Sequence, residues 1–253
     1  MSLPKKLLVS QAGESQFTGW HREVFDALAT KLAPKGGFPC TFSQNAFKRG
    51  ILRFHFVESL SQTDLDKAMR ALTEYVSLSA TWDGSLATAH PLIMAFSRSS
   101  IEAQTVQDYH KAGWEVLQYW HDHDPSPWPD GVSQQPDTPF WSYCHSGMQL
   151  FVNMSCPAHQ SRQSRHLGAH FIMIINPRER FDIVAGDTRA GRKVRQNIRD
   201  RIKAYDGEPH APQLGSYEAG EIEWWQYGLS DKNQIEAGNC PFHQKPKSAG
   251  LPE

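Results

Sequence analysis

The stretch FWSYCHSGMQLFVNM, residues 140–154, decides the fold class. It reads as two strands, Phe140–His145 and Met148–Met154, turning at Gly147. A further strand, His170–Asn176, follows. Upstream, ILRFHFV at 51–57 alternates and puts Leu52, Phe54 and Phe56 on one face of a strand. The short apolar run Pro91–Phe96 reads as a buried strand. Between these runs the period changes to that of a helix. Trp20, Val24, Leu28 and Leu32 recur at four-residue steps in Gly19–Leu32, before Pro34 and Gly36-Gly37 break the pattern. From Thr63 to about Ser79, Leu65, Met69, Leu72 and Val76 share one helical face. Ser99 and Glu102 form a capping box. It predicts a helix running to about His121, with Val106, Tyr109 or His110, Gly113 and Leu117 inside. A polar, Pro-rich loop covers 122–139. A basic helix, Arg192–Tyr205, turns Val194, Ile198, Ile202 and Tyr205 inward.

This order of elements predicts an α+β fold, a mixed β-sheet packed with helices. One domain is expected over 1–253, with 1–18 as a flexible N-terminal segment. From Asp206 the chain is irregular but rich in Trp and Tyr. Such a tail is too aromatic for disorder and should pack back on the body.

Composition narrows the function classes. Lys and Arg total 26 against 27 Asp and Glu, a net charge of −1. A general nucleic-acid binder would be basic, so no nucleic-acid partner is expected. No apolar run reaches the roughly 18 residues of a membrane span. The start, MSLPKKLLVSQAGES, has too short an apolar stretch for a secretory signal. No membrane association and a cytoplasmic location are the resulting expectations. The four cysteines, Cys40, Cys144, Cys156 and Cys240, are far apart and form no CxxC, which argues against a zinc ribbon. Twelve His and eight Trp suit a cavity for a flat cofactor, and equally an aromatic core.

Five segments carry candidate chemistry, each with a bland alternative. Phe38-Pro39-Cys40-Thr41-Phe42 is a buried turn or supplies a haem thiolate and pocket wall. Cys240-Pro241-Phe242 partly mirrors it, and the two could lie side by side. His121 and His123 with Asp122 or Asp124 have the residue types of a two-His, one-carboxylate iron site. At a helix end, such histidines also simply complement free carbonyls. Cys156–Arg165 (CPAHQSRQSR) follows a strand. Its His159 can present a neutral imidazole to a metal, and Arg162 and Arg165 share a face suited to carboxylates. Asn176-Pro177-Arg178 ends a strand, and Arg178 could join them. Glu221 and Glu223, beside Trp224 and Trp225, could hold a cationic substrate by ion pairing and cation–π contact. The basic helix reads as a solvated face, or as a surface for an acidic electron donor.

In order, FPCTF, GWEVLQYWHDHD with WPDGV, FWSYCHSGMQLFVNMSCPAHQSRQSR, NPRERFD, IRDRIKAYDGEPHAPQLGSY, EWWQYGL and CPF resemble the YqcI/YcgG family. They cover most of the chain, from about Phe38 to Phe242. That family includes enzymes hydroxylating a guanidine nitrogen in the D-cycloserine and guanitoxin pathways. The resemblance implies haem b, dioxygen, an electron-donor protein or other reductant, and a guanidine or amine substrate such as arginine. It is compatible with a homodimer. His159 is the expected axial and metal ligand and a catalytic residue. Its rivals are the thiolates of Cys40, Cys156 and Cys240 and the imidazoles of His145, His170 and His210. Arg162, Arg165 and Arg178 are expected at the haem edge or a substrate carboxylate. Phe38, Cys40 and Trp141 are expected to line the cofactor pocket, and Glu223 to act on the substrate. Asn176 replaces an expected glutamine, Trp225 an expected lysine, and Ser216-Tyr217-Glu218 an expected Tyr-Gly-Asp. These departures bear on substrate identity. The alternatives are a haem sensor or carrier without turnover, and a non-haem iron enzyme.

Overall fold

The computed structural model describes residues 8–9, 16–234 and 238–244. The expectation for 1–18 therefore falls largely outside the described residues. The elements in order are β1 (Leu8–Val9), α1 (Gly19–Leu32), α2 (Thr41–Lys48), β2 (Arg53–Val57), α3 (Gln62–Ser79) and β3 (Leu92–Phe96). There follow α4 (Val106–His123), β4 (Tyr143–His145), β5 (Met148–Ser155), β6 (Phe171–Pro177), α5 (Glu179–Ala185) and α6 (Arg189–Asp206). The strands form one mixed sheet in the order β1-β2-β3-β6-β5-β4. Among the described strands only β2 and β3 pair in parallel, and α3 makes the crossover that parallel pairing requires. The α+β expectation holds.

Alternation along the strands sends side chains to two different layers. Leu92, Met94 and Phe96 of β3, with Phe171, Met173 and Ile175 of β6, meet α3 and α4. Ile93, Ala95 and Ile172 meet α1 and α2 on the opposite face. The first layer is sealed: Leu117, Trp120, Trp141, Leu150, Val152 and Met154 are fully buried. Helix α4 approaches β5 and β6 through Gly113. A Cβ there would stand 2.8 Å from Met154 Sδ and 2.9 Å from Phe171 Cζ. The β4–β5 hairpin turns through Ser146 and Gly147, at φ 50° and 75°. Two successive positive φ values are the mark of a type I′ turn.

The tail packs back as expected. Phe242 reaches Trp141 at 5.5 Å and Tyr143 at 5.9 Å between ring centroids. Trp114 stacks on Tyr227 at 5.8 Å.

Four local readings are corrected. The helix expected from Ser99 begins at Val106, because Thr105 and Asp108 make the reciprocal capping box instead. Phe140 takes a φ of 63°, so the first hairpin strand shortens to Tyr143–His145. The FPCTF segment is the start of α2, with Cys40 at its N-cap. Only Ala46 of α2 is buried, so it has no apolar period to read. The two Cys/Pro/Phe clusters do not meet. Phe38 packs in the layer with α1, and Phe242 in the layer with α3 and α4.

Candidate functional site

On the α1 side of the sheet, the close-packed layer ends at Ile172 of β6. Phe151, Asn153, Ile174 and Asn176 instead form the floor of a half-open cavity of about 250 Å³. Helix α6 runs over it and turns Arg195, Ile198, Arg199 and Ile202 toward it. An 18-residue helix spans about 27 Å, yet only Gly191 of α6 is fully buried. Arginine side chains donating to main-chain carbonyls help to hold it, with Asp206 accepting from Ser164 and Tyr205 packing against Phe38. Arg195 reaches Ala185 O and Arg199 reaches Leu214 O. Arg201 donates to Phe38 O at 2.7 Å and Pro39 O at 3.0 Å. The basic helix is therefore not merely a solvated face. Phe38, Cys40 and Phe42 close one side of the cavity.

One end is rich in carboxylates. Glu223, Asp182 and Glu218 line it together with Arg178 and Tyr217. Glu223 is 1% exposed. Its Oε1 accepts from Ser142 Oγ at 2.7 Å and Tyr227 OH at 2.9 Å. Its Oε2 stands 3.0 Å from Arg178 Nη1 but in a direction that makes no hydrogen bond. Arg178 also donates through Nη2 to Asp182, and its guanidinium lies 3.6 Å above the Tyr217 ring. Its Nε is buried and without a hydrogen bond. Burial lifts the Glu223 carboxyl to about 7, against the opposing pull of Arg178, Ser142 and Tyr227. Burial raises Asp182 and pushes the Tyr217 phenol up to about 12.

At the other end Arg162 and Arg165 line the cavity, but their donors are largely committed to the fold. Arg165 donates to the carbonyls of Met154, Gln226 and Tyr227 at 2.9–3.2 Å. Burial depresses it to about 9, with neighbouring Arg162 adding to the effect. Arg162 donates to Ser230 O at 2.7 Å and Asn233 Oδ1 at 2.8 Å, and lies 4.0 Å from Asp206. The pair staples the loop after β5 to the aromatic tail.

The structure thus gathers Phe38, Cys40, Arg162, Arg165, Arg178 and Glu223 around one cavity. Two expected residues stand elsewhere. Trp141 is sealed on the opposite face, between Trp128, Tyr227 and Phe242. His159 is buried but does not line the cavity. Its Nδ1 lies 2.8 Å from Asp231 Oδ1. Its Nε2 is buried without a partner, and its ring sits 6.2 Å from that of His110. Burial lowers the basicity of both imidazoles, that of His110 to about 3.

The histidines of α4 do not converge on a metal. Residues two apart on a helix face different directions. His123 Nδ1 bonds Tyr119 O at 2.8 Å, while the His121 ring packs on Trp128 and Phe242. Among the described residues, no group of three or more His, Cys, Asp and Glu could hold a metal ion, and no helix is long and apolar enough to cross a membrane. Sequence reasoning missed Ser142, Asp182, Arg195, Arg199 and Tyr217. Asp182 and Tyr217 lie in segments already singled out, but nothing local marked them as facing a common space.

A model of the YqcI/YcgG family matches residues 28–243. A Streptomyces lavendulae protein named "Putative N(omega)-hydroxy-L-arginine synthase DcsA" is 54% identical over 224 residues, 88% of this chain and 84% of that protein. Two uncharacterized Bacillus subtilis proteins also match. YqcI is 33% identical over 88% of each chain, and YcgG is 30% identical over 90% of each. No solved structure matches the chain.

Proposed function

Because the chain belongs to the YqcI/YcgG family, we propose that it is a haem-dependent N-hydroxylase acting on the guanidine nitrogen of arginine or an arginine-like compound. The observation that carries this reading is the carboxylate end of the cavity. Glu223, Asp182 and the Tyr217 ring already seat one guanidinium, that of Arg178. Two carboxylates and an aromatic face are the environment a planar cation requires. Glu223 lines the cavity, and its buried Oε2 keeps hydrogen-bonding capacity. A substrate guanidinium donating to Oε2 would be held with its nitrogen toward the apolar part of the cavity. Ser142 and Tyr227 bind Oε1, so they fix the carboxylate, and a substrate guanidinium would share Oε2 with its ion-pair partner Arg178. With a carboxyl value near 7, Glu223 can also hold or release a proton at Oε2 near neutral pH.

The residues present fit haem b. Phe38, Phe42, Phe151, Ile198 and Ile202 offer apolar walls. Arg199, which lines the cavity, offers a cation for a propionate. When bound, haem supplies the activation of dioxygen that no side chain can perform. In the overall balance, one oxygen atom of dioxygen enters an N–H bond. The other leaves as water, with two electrons and two protons from an external reductant and solvent. The chain's contribution is to orient the guanidine, exclude water and place the Glu223 proton.

The test is mass spectrometry of L-arginine incubated with the haem-loaded protein, dioxygen and a reductant. The expected product carries one additional oxygen atom on a guanidine nitrogen. Absence of any oxygenated product from arginine and other guanidine compounds, with haem bound and reducible, would overturn the reading.

A further inference from the structure

Resting on the N-hydroxylase reading above, we propose that Gln226 is a further substrate-binding residue, whose carboxamide oxygen accepts from the substrate's guanidine group beside Glu223. Glu223 alone is a poor guide for a guanidinium, which carries several N–H donors in one plane. Its Oε1 is taken by Ser142 and Tyr227, and its Oε2 stands 3.0 Å from Arg178. A substrate held at one shared oxygen can swing about that contact. A second acceptor alongside fixes the plane, and with it the nitrogen that is presented for reaction.

Gln226 stands where that acceptor is needed. Trp224–Gln226 form a 3-10 helix with Glu223 at its N-cap. Side chains three apart in such a helix lie one above the other, so Gln226 follows Glu223 on one side of the turn. Both residues line the cavity. Main-chain bonds hold the turn in place. Gln226 N donates to Glu223 O at 2.9 Å, and Met154 N donates to Tyr227 O at 2.8 Å. Arg165 Nη2 donates to Gln226 O at 2.9 Å. A side chain on so fixed a backbone can position a ligand.

The side chain itself is uncommitted. Gln226 is 8% exposed. Its carboxamide makes no hydrogen bond among the described residues, yet neither of its polar atoms is sealed. In a residue this buried that lines a cavity, the open side of the amide is the cavity. Buried polar groups are ordinarily bonded. An amide left open toward a space, and toward little else, is matched to a partner that enters that space.

The charge around the amide selects the partner. Glu223, Asp182 and Glu218 line the cavity and favour a cation. Arg165 also adjoins Gln226, but it gives its donors to the carbonyls of Met154, Gln226 and Tyr227. An amide oxygen adds an acceptor without adding charge, so a single substrate cation does not meet an excess of carboxylates. The contact is a hydrogen bond only, and no covalent bond forms or breaks.

The experiment is equilibrium dialysis of radiolabelled L-arginine against the haem-loaded wild type and the Gln226→Leu, Gln226→Ala and Gln226→Glu proteins. Haem uptake and thermal unfolding are measured for each. Leu keeps the bulk without the polar atoms, and Ala removes the side chain without adding a clash. Glu keeps an acceptor oxygen and loses the amide donor. The expected result is a dissociation constant raised roughly tenfold in the Leu and Ala proteins, with binding in the Glu protein close to wild type. Unchanged binding in the Leu and Ala proteins, while the wild type oxygenates arginine, overturns the assignment and leaves the N-hydroxylase reading standing. A Glu protein as weak as the Leu protein shows that the amide donates rather than accepts, and overturns it equally. A haem-loaded wild type that neither binds nor oxygenates any guanidine compound overturns the N-hydroxylase reading and this inference with it.

Discussion

On one face of the sheet, Leu150, Val152 and Met154 meet α4 in a core without gaps. On the other face of the same strand, Asn153 and Phe151, whose ring also packs on Phe181 and Tyr227, line the cavity under α6. The two faces are built from adjacent residues of β5, yet the first is closed by apolar packing and the second by arginine side chains bound to carbonyls. Close packing gives stability, about 25 cal/mol for each Å² of apolar surface removed from water. A helix suspended by polar staples gives room instead. The molecule separates the two tasks across the thickness of one sheet.

Three measurements test that division, beginning with the largest effect. Trp120→Ala, in the sealed face, should cost about 3–5 kcal/mol of unfolding free energy. Urea unfolding followed by fluorescence would read it; a cost near that of a surface change would mean the face is not the stabilising one.

The next concerns the open face and charge. Glu223→Gln should weaken guanidine binding roughly tenfold to a hundredfold, the equivalent of about 1.5–3 kcal/mol for a charge-assisted bond. In the wild type, the KM for a guanidine substrate should fall as pH rises through about 7, the value to which burial lifts Glu223. The carboxylate that binds the cation exists above that pH. The same raised value means that the folded protein holds this proton more tightly than the unfolded chain. Its stabilising contribution is full below the ordinary carboxyl value of 4.5 and is lost as pH rises to about 7. A flat KM profile in the wild type, or a profile unchanged in the Gln variant, would remove Glu223 from the binding step.

The smallest effect belongs to the cavity roof. Ile198 is only partly buried, so Ile198→Ala should cost about 1 kcal/mol or less. Thermal unfolding of the apo protein would measure it. A loss as large as that for Trp120→Ala would show that α6 is packed like the sealed face.

Much of the architecture could be read locally. The strands at 51–57, 91–96, 148–154 and 170–176 announce themselves by β-branched and aromatic runs. The helices at 19–32 and 63–79 do so by apolar residues at a four-residue spacing. These readings hold because each element buries one face, and burial imposes the period of the element on its sequence. Where no face is buried, the signal fails. Helix α2 buries only Ala46, and α5 buries only Arg180, held by His90 O, Tyr75 OH and Ser79 Oγ. Neither carries an apolar stripe. The capping box was assigned six residues too early because Ser99-x-x-Glu102 and Thr105-x-x-Asp108 both satisfy the same short pattern. Only the second precedes backbone that continues as helix.

What the sequence by itself determined is most of the elements, the mixed α+β class, the aromatic tail packed on the body, and a set of chemically loaded residues. What only the tertiary structure decided is which of them share a space. Trp141 stands just before β4 and Phe151 on its partner β5, yet Trp141 is sealed in the core and Phe151 lines the cavity. Cys40 and Glu223 are separated by 183 positions of chain and line the same cavity, while His159, in the most loaded motif, is turned to Asp231. The reason is physical. Periodicity records whether a side chain is buried, but not which partner buries it. That partner is set by strand order and helix placement, to which residues far along the chain contribute together.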